Sequence, residues 1–122
     1  MKYVIDKNIK KQVDTLIDSL DLKHIKKKYI YCIKSFDAKT RAYARIWGMA
    51  KIFSEVAGIK PRYIIEVISP KFDKLNDRER IKTLIHELLH IPKTFSGALL
   101  SHRGKGRRIN DAEVERVIRN LS

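Results

Sequence analysis

The sequence contains a single cysteine, Cys32, so no disulfide can form within the chain. A lone cysteine fits the reducing interior of a cell, where thiols are kept reduced. No stretch approaches the ~20 consecutive apolar residues that a transmembrane helix needs. The N-terminal residues Met1–Lys7 also lack the apolar run of a signal peptide. These absences predict a cytoplasmic protein with no membrane partner.

Glycine and proline are scarce, with five and three residues respectively, and no repeat, linker or low-complexity tract interrupts the chain. A chain of 122 residues is long enough for one hydrophobic core and too short for two. Its hydrophobic content of 43% and charged content of 34% are typical of soluble globular proteins. We therefore expect one domain that spans residues 1–122.

Acidic residues are outnumbered, because 27 lysines and arginines against 14 aspartates and glutamates give a net charge of +13. A field of this strength favours anionic partners such as nucleic acid, acidic lipid or acidic protein. A heat-adapted surface is the alternative explanation, since such surfaces are rich in lysine and glutamate and this chain has only one glutamine, Gln12. The lysines are scattered along the whole chain, which favours heat adaptation, and nucleic-acid binding stays open.

The most informative motif is H-E-x-x-H, formed by His86, Glu87 and His90. The surrounding residues predict a helix, on which positions i and i+4 lie one turn apart on the same face. Two imidazoles aimed at one point suit a tetrahedral Zn²⁺ with nitrogen ligands at ~2.0–2.1 Å. Glu87 follows the first histidine and would act as the general base for a metal-bound water.

The same motif also arises by chance in helices that bind no metal. Here Leu84, Ile85 and Leu88 make the helix apolar over most of its circumference, so we expect it to be buried. Buried histidines and a buried glutamate need polar partners, because unpaired buried polar groups cost free energy. A metal ion satisfies all three side chains together, which makes a metal site the favoured interpretation.

The remaining patterns predict the elements around this helix. Helical apolar spacing is found at Ile9, Val13, Leu16, Ile17 and Leu20. Runs of aromatic and β-branched residues predict strands at 29–36, 42–49 and 62–69. Further helices are predicted at 51–57 and after the N-cap Asn110. The order α-β-β-α-β-α-α indicates an α+β domain, in which a small, mostly antiparallel sheet packs against helices.

Local signals predict where these elements begin and end. Asn76 and Glu79 have the spacing of a capping box at the start of the motif helix. Pro92 predicts that this helix ends near Ile91, because the residue before a proline disfavours helical geometry. Gly48 indicates a bulge or a close backbone approach at the end of its strand.

A hydrolytic zinc site needs a third protein ligand and one open position for water. The metzincin pattern is excluded, because its glycine and third histidine would fall on Lys93 and Ser96. His102 is the favoured ligand, since it lies in a glycine-containing loop that can fold back toward the metal. Glu113 is the alternative, although its place in a predicted capping box with Asn110 already gives it a structural role.

Two other reactive side chains have simpler interpretations. His24 lies in the charged connection between Lys23 and Lys28 and is predicted to be an exposed histidine. Cys32 lies in the interior of a predicted strand, which shields thiols, and is predicted to be a core thiol with no nucleophilic role.

Three segments carry a family resemblance: Ala44–Gly48, Tyr63–Ser69 and His86–His102. Together they resemble a small family of predicted metallopeptidases found in archaea and phages, which is similar in turn to the minimal zincins of the Spartan-like group. The resemblance covers most of the chain from about Tyr29 onward. It implies a minimal zincin core, with His86, His90 and His102 as zinc ligands and Glu87 as the catalytic glutamate.

The favoured hypothesis is a zinc metallopeptidase that hydrolyses peptide bonds with a zinc-bound water activated by Glu87. A peptide or protein substrate would add as a β-strand to the edge strand at 42–49. Tyr43, Arg45 and His102 are candidate donors to the oxyanion by residue type.

Two alternatives stay open beside the peptidase. The basic loop at 103–108 would lie next to the metal site and has the composition for phosphate contacts, as in a protease that acts on DNA-linked proteins. A zinc that is structural and has no catalytic role is the other alternative, although such a site has no use for Glu87. The sequence predicts neither the oligomeric state nor the cleavage preference.

Overall fold

The computed structural model describes residues 2–102 and 108–121. The strands are β1 (Lys2–Ile5), β2 (Ile30–Phe36), β3 (Ala44–Trp47) and β4 (Tyr63–Ser69). The helices are α1 (Lys7–Ser19), α2 (Lys51–Ala57), α3 (Asp77–Leu88) and α4 (Asp111–Leu121). The predicted α+β class is confirmed. Within the residues described, none of the helices combines the length and the apolarity that a membrane span requires.

The strands form one mixed sheet in the order β1-β2-β4-β3. β1 pairs with β2 and β3 pairs with β4 in antiparallel fashion, whereas β2 and β4 are parallel. The sheet is therefore mostly antiparallel, as expected, with its parallel pair at the centre. Because β3 is an edge strand, one side of its backbone faces away from the sheet.

Strand β1 is absent from the sequence-based prediction. Its four residues are all exposed, so it shows no alternation of buried and exposed side chains. The extended conformation of β1 is stabilised by its pairing with β2, for example between Ile5 and Ile33. The next residue, Asp6, donates its backbone N–H to the Cys32 carbonyl oxygen at 3.0 Å and accepts the N–H of Ile9 at 2.9 Å, which caps α1. The strand β1 therefore forms through long-range pairing with β2, which the local sequence does not indicate.

The core lies between one face of the sheet and helices α1, α3 and α4. The predicted stripe of α1 is buried there, together with Leu20 directly after the helix. Each fully buried side chain of this size contributes ~1.5–3 kcal/mol to the free energy of folding. Cys32 joins the same core, and burial raises the pKa of its thiol to about 12. The prediction of a core thiol is confirmed.

Both predicted helix caps are present. The Asn76 side-chain oxygen accepts the N–H of Glu79 at 2.9 Å, and the Asn110 side-chain oxygen accepts the N–H of Glu113 at 2.8 Å. Such caps satisfy backbone donors that have no partner within the helix and contribute ~1 kcal/mol each. They fix the first turns of α3 and α4 as the sequence indicates.

The opposite face of the sheet carries a buried carboxylate. Glu66, in β4, is fully buried and accepts hydrogen bonds from Arg45 Nε at 2.6 Å and from Trp47 Nε1 at 2.8 Å. The Arg45 guanidinium also lies 5.1 Å from the centre of the Trp47 ring. Two side chains of the four-residue strand β3 are therefore held by one carboxylate of the neighbouring strand β4. These contacts stabilise the edge strand from the side opposite to α3.

We expect the stability that Glu66 contributes to depend on pH. Burial acts to raise the pKa of Glu66, but the hydrogen bonds from Arg45 and Trp47 outweigh it and hold the pKa below its ordinary value of 4.5. A carboxylate with a lowered pKa in the folded state contributes stability above its unfolded pKa, and that stability is lost as pH falls through the folded pKa. Glu66→Gln should therefore lower the free energy of unfolding by ~1–3 kcal/mol at pH 7.

Urea denaturation over a range of pH measures this effect. The difference between wild type and Glu66→Gln should narrow as the pH falls below about 4.5. Glu55→Gln, on the surface of α2, is the control for loss of an exposed carboxylate and should change little. A difference for Glu66→Gln that is the same at every pH would contradict this account.

Candidate metal centre

Three histidine side chains meet beside the C-terminal end of α3. One ring nitrogen of each of His86, His90 and His102 lies within 4.8 Å of those of the other two. The ring centroids are 5.1 Å apart for His86 and His90, 5.1 Å for His86 and His102, and 4.9 Å for His90 and His102. The structure thus brings together the three residues that the sequence predicts as ligands. Glu113, the alternative third ligand, does not belong to this cluster.

The regular part of α3 ends at Leu88, three residues before the predicted end. The chain then continues in a tighter turn, in which His90 N–H donates to Glu87 C=O and Ile91 N–H donates to Leu88 C=O, both at 3.1 Å. The backbone therefore continues to turn up to Ile91, with i→i−3 bonds in place of i→i−4 bonds. This turn keeps His90 one helical turn beyond His86.

Burial of α3 is less uniform than its apolar composition predicts. Leu84, Ile85 and Leu88 pack in the core and Glu87 is buried, whereas His86 is exposed. The expectation that the whole motif is buried is therefore wrong for His86. The exposed His86 ring would be within reach of a metal ion from solvent.

A backbone carbonyl group determines which nitrogen of His90 can bind a metal. His90 Nδ1 lies 2.6 Å from the carbonyl oxygen of Leu100. A carbonyl oxygen only accepts hydrogen bonds, so Nδ1 carries the proton and the neutral ring keeps its lone pair on Nε2. Such a partner on the second ring nitrogen is the usual way in which proteins orient a metal-binding histidine.

The donor set fits a zinc ion. Imidazole nitrogen is among the preferred ligands of Zn²⁺, and three protein ligands with one position left for solvent or substrate are typical of catalytic zinc. His86 and His102 are exposed and His90 is half-buried, so the cluster opens toward solvent. The chemistry of the three rings is therefore suited to holding a metal that also contacts a substrate.

Glu87 lies between this cluster and the edge of the sheet. Its side chain is buried, and it lines an open cleft of about 340 Å³ together with Tyr43, Ala44, Thr83 and His86. The cleft separates α3 from strand β3. A buried carboxylate and one histidine of the cluster therefore line the same open cleft.

The other candidate residues lie elsewhere. Arg45 is bound to Glu66 on the face of the sheet opposite to Ala44, which removes it as a donor in the cleft. His24 is half-buried and not exposed as predicted, because its Nε2 lies 3.3 Å from the Ile91 carbonyl oxygen. In the basic loop, residues 103–107 lie outside the described residues and Arg108 is exposed.

Sequence reasoning missed the contribution of Tyr63 and Gly97 to this region. The Gly97 N–H donates to the Tyr63 hydroxyl oxygen at 2.8 Å, and the Gly97 carbonyl oxygen accepts the N–H of Met49 at 2.8 Å. A Cβ atom at Gly48 would collide with that carbonyl, so the predicted close backbone approach is confirmed. The glycines at 48 and 97 were the available signal, but their partners lie too far apart in sequence to be paired by pattern.

An H-E-x-x-H helix next to an edge strand, with a third histidine returned by the following loop, defines a metallopeptidase-like domain. The chain belongs to the family described as "Putative phage metallopeptidase", whose sequence model matches residues 1–118. The predicted family resemblance is confirmed at this level, and membership implies a metal ion and a peptide or protein substrate. Among curated proteins and solved structures, none matches the chain.

Substitution of Gly97 tests how tightly the loop is fixed. Gly97 has a φ of +94°, and a Cβ atom there would lie 2.5 Å from the Met49 carbonyl oxygen. Gly97→Ala should therefore destabilise the protein by more than the ~1–2 kcal/mol that a left-handed alanine costs by itself. Gly58→Ala is the matched control, because Gly58 has a φ of +67° and a Cβ atom added there would meet no other atom within 4 Å.

Thermal and urea unfolding of the two variants measure the difference. We expect Gly97→Ala to unfold at the lower urea concentration, since the loop that leads to His102 must shift. Equal stability of the two variants would show that the contact between Gly97 and Met49 is not tight.

Proposed function

We propose that this protein is a zinc-dependent metallopeptidase, with His86, His90 and His102 as zinc ligands and Glu87 as the general base. The observation that carries the proposal is the convergence of three imidazoles, with one nitrogen of each within 4.8 Å of the others, next to a buried carboxylate in an open cleft. Chance placement of two helix histidines does not account for a third that arrives from a separate loop.

Each histidine has a distinct supporting element. His86 is carried by the regular helix, His90 by the tight turn after it, and His102 by the loop that follows Leu100. When bound, zinc lowers the pKa of a coordinated water toward ~7 and polarises the substrate carbonyl. The protein's part is to fix the three rings and to leave the fourth position open to the cleft.

Glu87 would act as the general base and then as the general acid of the reaction. Its carboxylate would take a proton from the attacking water and deliver it to the nitrogen of the leaving amine. The side chain is mostly buried and lines the open cleft, where the attacking water would lie. Its position in the cleft beside His86 supports this role, because a peptide bond in the cleft would lie next to both side chains.

The edge strand β3 supports binding of an extended peptide. Tyr43 C=O accepts from Ile68 N–H at 2.9 Å, which assigns the backbone groups of Tyr43 and alternate residues to β4. The backbone groups of Ala44 and Ile46 therefore point away from the sheet, on the side of the cleft. A substrate strand would pair there and bring its scissile bond past Glu87.

Two alternatives have less support. A purely structural zinc would need no general base, so it would not account for the position of Glu87 beside the cluster. Binding of nucleic acid is supported by the net charge and by the basic composition of the loop at 103–108. It stays a prediction, as does a role in cleaving DNA-linked proteins. The expected cytoplasmic location likewise stays a prediction.

Replacement of Glu87 separates catalysis from metal binding. Glu87→Gln keeps the size of the side chain and removes its basicity, so zinc content should stay unchanged and peptide hydrolysis should fall ~10²–10⁴-fold. Glu79→Gln, an exposed residue on the same helix, is the matched control and should cleave like wild type. Degradation of a labelled unfolded protein, followed by mass spectrometry of the products, measures cleavage. Retained cleavage by Glu87→Gln would refute its role as the base.

Replacement of the histidines tests the ligand set. His86→Ala, His90→Ala and His102→Ala should each lose zinc on dialysis, because two remaining ligands hold the ion weakly. His24→Ala is the control histidine outside the cluster, and Glu113→Gln tests the alternative ligand; both should keep zinc at the wild-type ratio. Metal analysis of the dialysed proteins gives the result. Loss of zinc from Glu113→Gln with retention by His102→Ala would reverse the assignment.

A further inference from the structure

A buried tyrosine connects the sheet to the loop that leads to the third histidine. Tyr63 begins β4 and is fully buried, and its hydroxyl group makes two hydrogen bonds to the loop backbone. It accepts one from Gly97 N–H and donates one to Ala98 C=O, both at 2.8 Å. Its ring packs edge-on against Phe95, with ring centroids 5.0 Å apart. The ring and the hydroxyl of this one residue therefore hold the loop from 95 to 98.

Two further hydrogen bonds extend this anchor to a metal ligand. Leu100 N–H donates to the His90 carbonyl oxygen at 2.7 Å, and Leu100 C=O accepts from His90 Nδ1 at 2.6 Å. Leu100 lies midway between Ala98 and His102, and two residues span at most ~7 Å. A displacement of the backbone at Ala98 would therefore also shift Leu100, and with it the His90 ring and His102.

We propose that Tyr63 is a positioning residue of the metal centre, which acts through the loop at 97–100 to orient the His90 ring and to place His102. This inference rests on the proposed function, since it concerns the same three ligands. Groups that orient metal ligands without touching the metal typically change metal affinity ~10–100-fold when removed. Tyr63 is 34 residues away from Gly97 in sequence, so no local motif connects the two.

The hydroxyl of Tyr63 has the protonation state that both hydrogen bonds require. Burial raises the pKa of Tyr63, and the hydrogen bond from Gly97 lowers it only in part. The side chain is therefore a neutral phenol at physiological pH, which can accept from Gly97 and donate to Ala98 at the same time. A phenolate would lose the second of these bonds.

Tyr63→Phe is the variant that removes the hydroxyl and keeps the ring against Phe95. Its matched control is Tyr31→Phe, which removes a hydroxyl from the neighbouring strand, where the oxygen accepts from Arg62 Nη1 at 2.7 Å. Chelator competition gives the zinc affinity, and the absorption spectrum of the Co²⁺-substituted protein reports the ligand geometry. We expect Tyr63→Phe to bind zinc ~10–100-fold more weakly and to change the Co²⁺ bands, and Tyr31→Phe to match wild type in both.

The outcomes separate this inference from the proposed function. Wild-type zinc affinity and an unchanged Co²⁺ spectrum in Tyr63→Phe, even if that variant is less stable, would overturn the positioning role and leave the peptidase proposal standing. Absence of zinc binding by the wild-type protein would overturn the proposed function and the positioning role together.

A measurement on the wild-type protein checks the anchor without any variant. Amide hydrogen exchange should be slow at Gly97 and Leu100, because both N–H groups donate to acceptors held by the core. Exchange at Gly97 as fast as in an exposed loop would overturn the role of Tyr63, whether or not Tyr63→Phe folds.

Discussion

The hydrogen bond between His90 Nδ1 and the Leu100 carbonyl oxygen joins the two parts of the chain that form the candidate metal centre. One part is the end of α3, where helix geometry places two imidazoles one turn apart. The other is the loop that returns a third imidazole after Leu100. Because the bond fixes the proton on Nδ1, it also presents Nε2 to the position between the three rings. Without this contact the orientation of the His90 ring and the position of His102 would both be less well fixed, so the geometry of the candidate site depends on it.

The two faces of the edge strand β3 have different roles in the structure. Ala44 lines the cleft beside α3, while Arg45 and Trp47 on the other face are held by the buried Glu66. A short edge strand with one neighbour would otherwise be among the least stable parts of a small domain. The buried carboxylate fastens it without occupying the side on which a peptide would pair. The Glu66 contacts thus stabilise β3 from one face, whereas the cleft lies on its other face and the proposed peptide would pair along its outer edge.

Local signals predicted much of this structure, and long-range contacts account for what they missed. The N-caps Asn76 and Asn110, the buried stripe of α1 and the H-E-x-x-H helix all depend on residues within a few positions of one another. Strand β1 was missed because its exposed residues carry no pattern and are ordered only by pairing with β2. The parallel pairing of β2 with β4 and the contact of Tyr63 with Gly97 both join residues more than thirty positions apart in the sequence. The burial of Glu66 depends on the order of the strands in the sheet. His102 was chosen from residue type and loop composition, and the fold brings it to the cluster.

Crystals grown with zinc and measured by anomalous diffraction at the zinc absorption edge would show whether the three histidines bind one zinc ion. The account predicts an anomalous peak between the three rings, with His90 bound through Nε2 and nitrogen–metal distances of ~2.0–2.1 Å to His86, His90 and His102. It also predicts that Nδ1 of His90 keeps its contact with Leu100. An anomalous map with no peak at this position, or one in which the rings turn away from a common centre, would contradict the account.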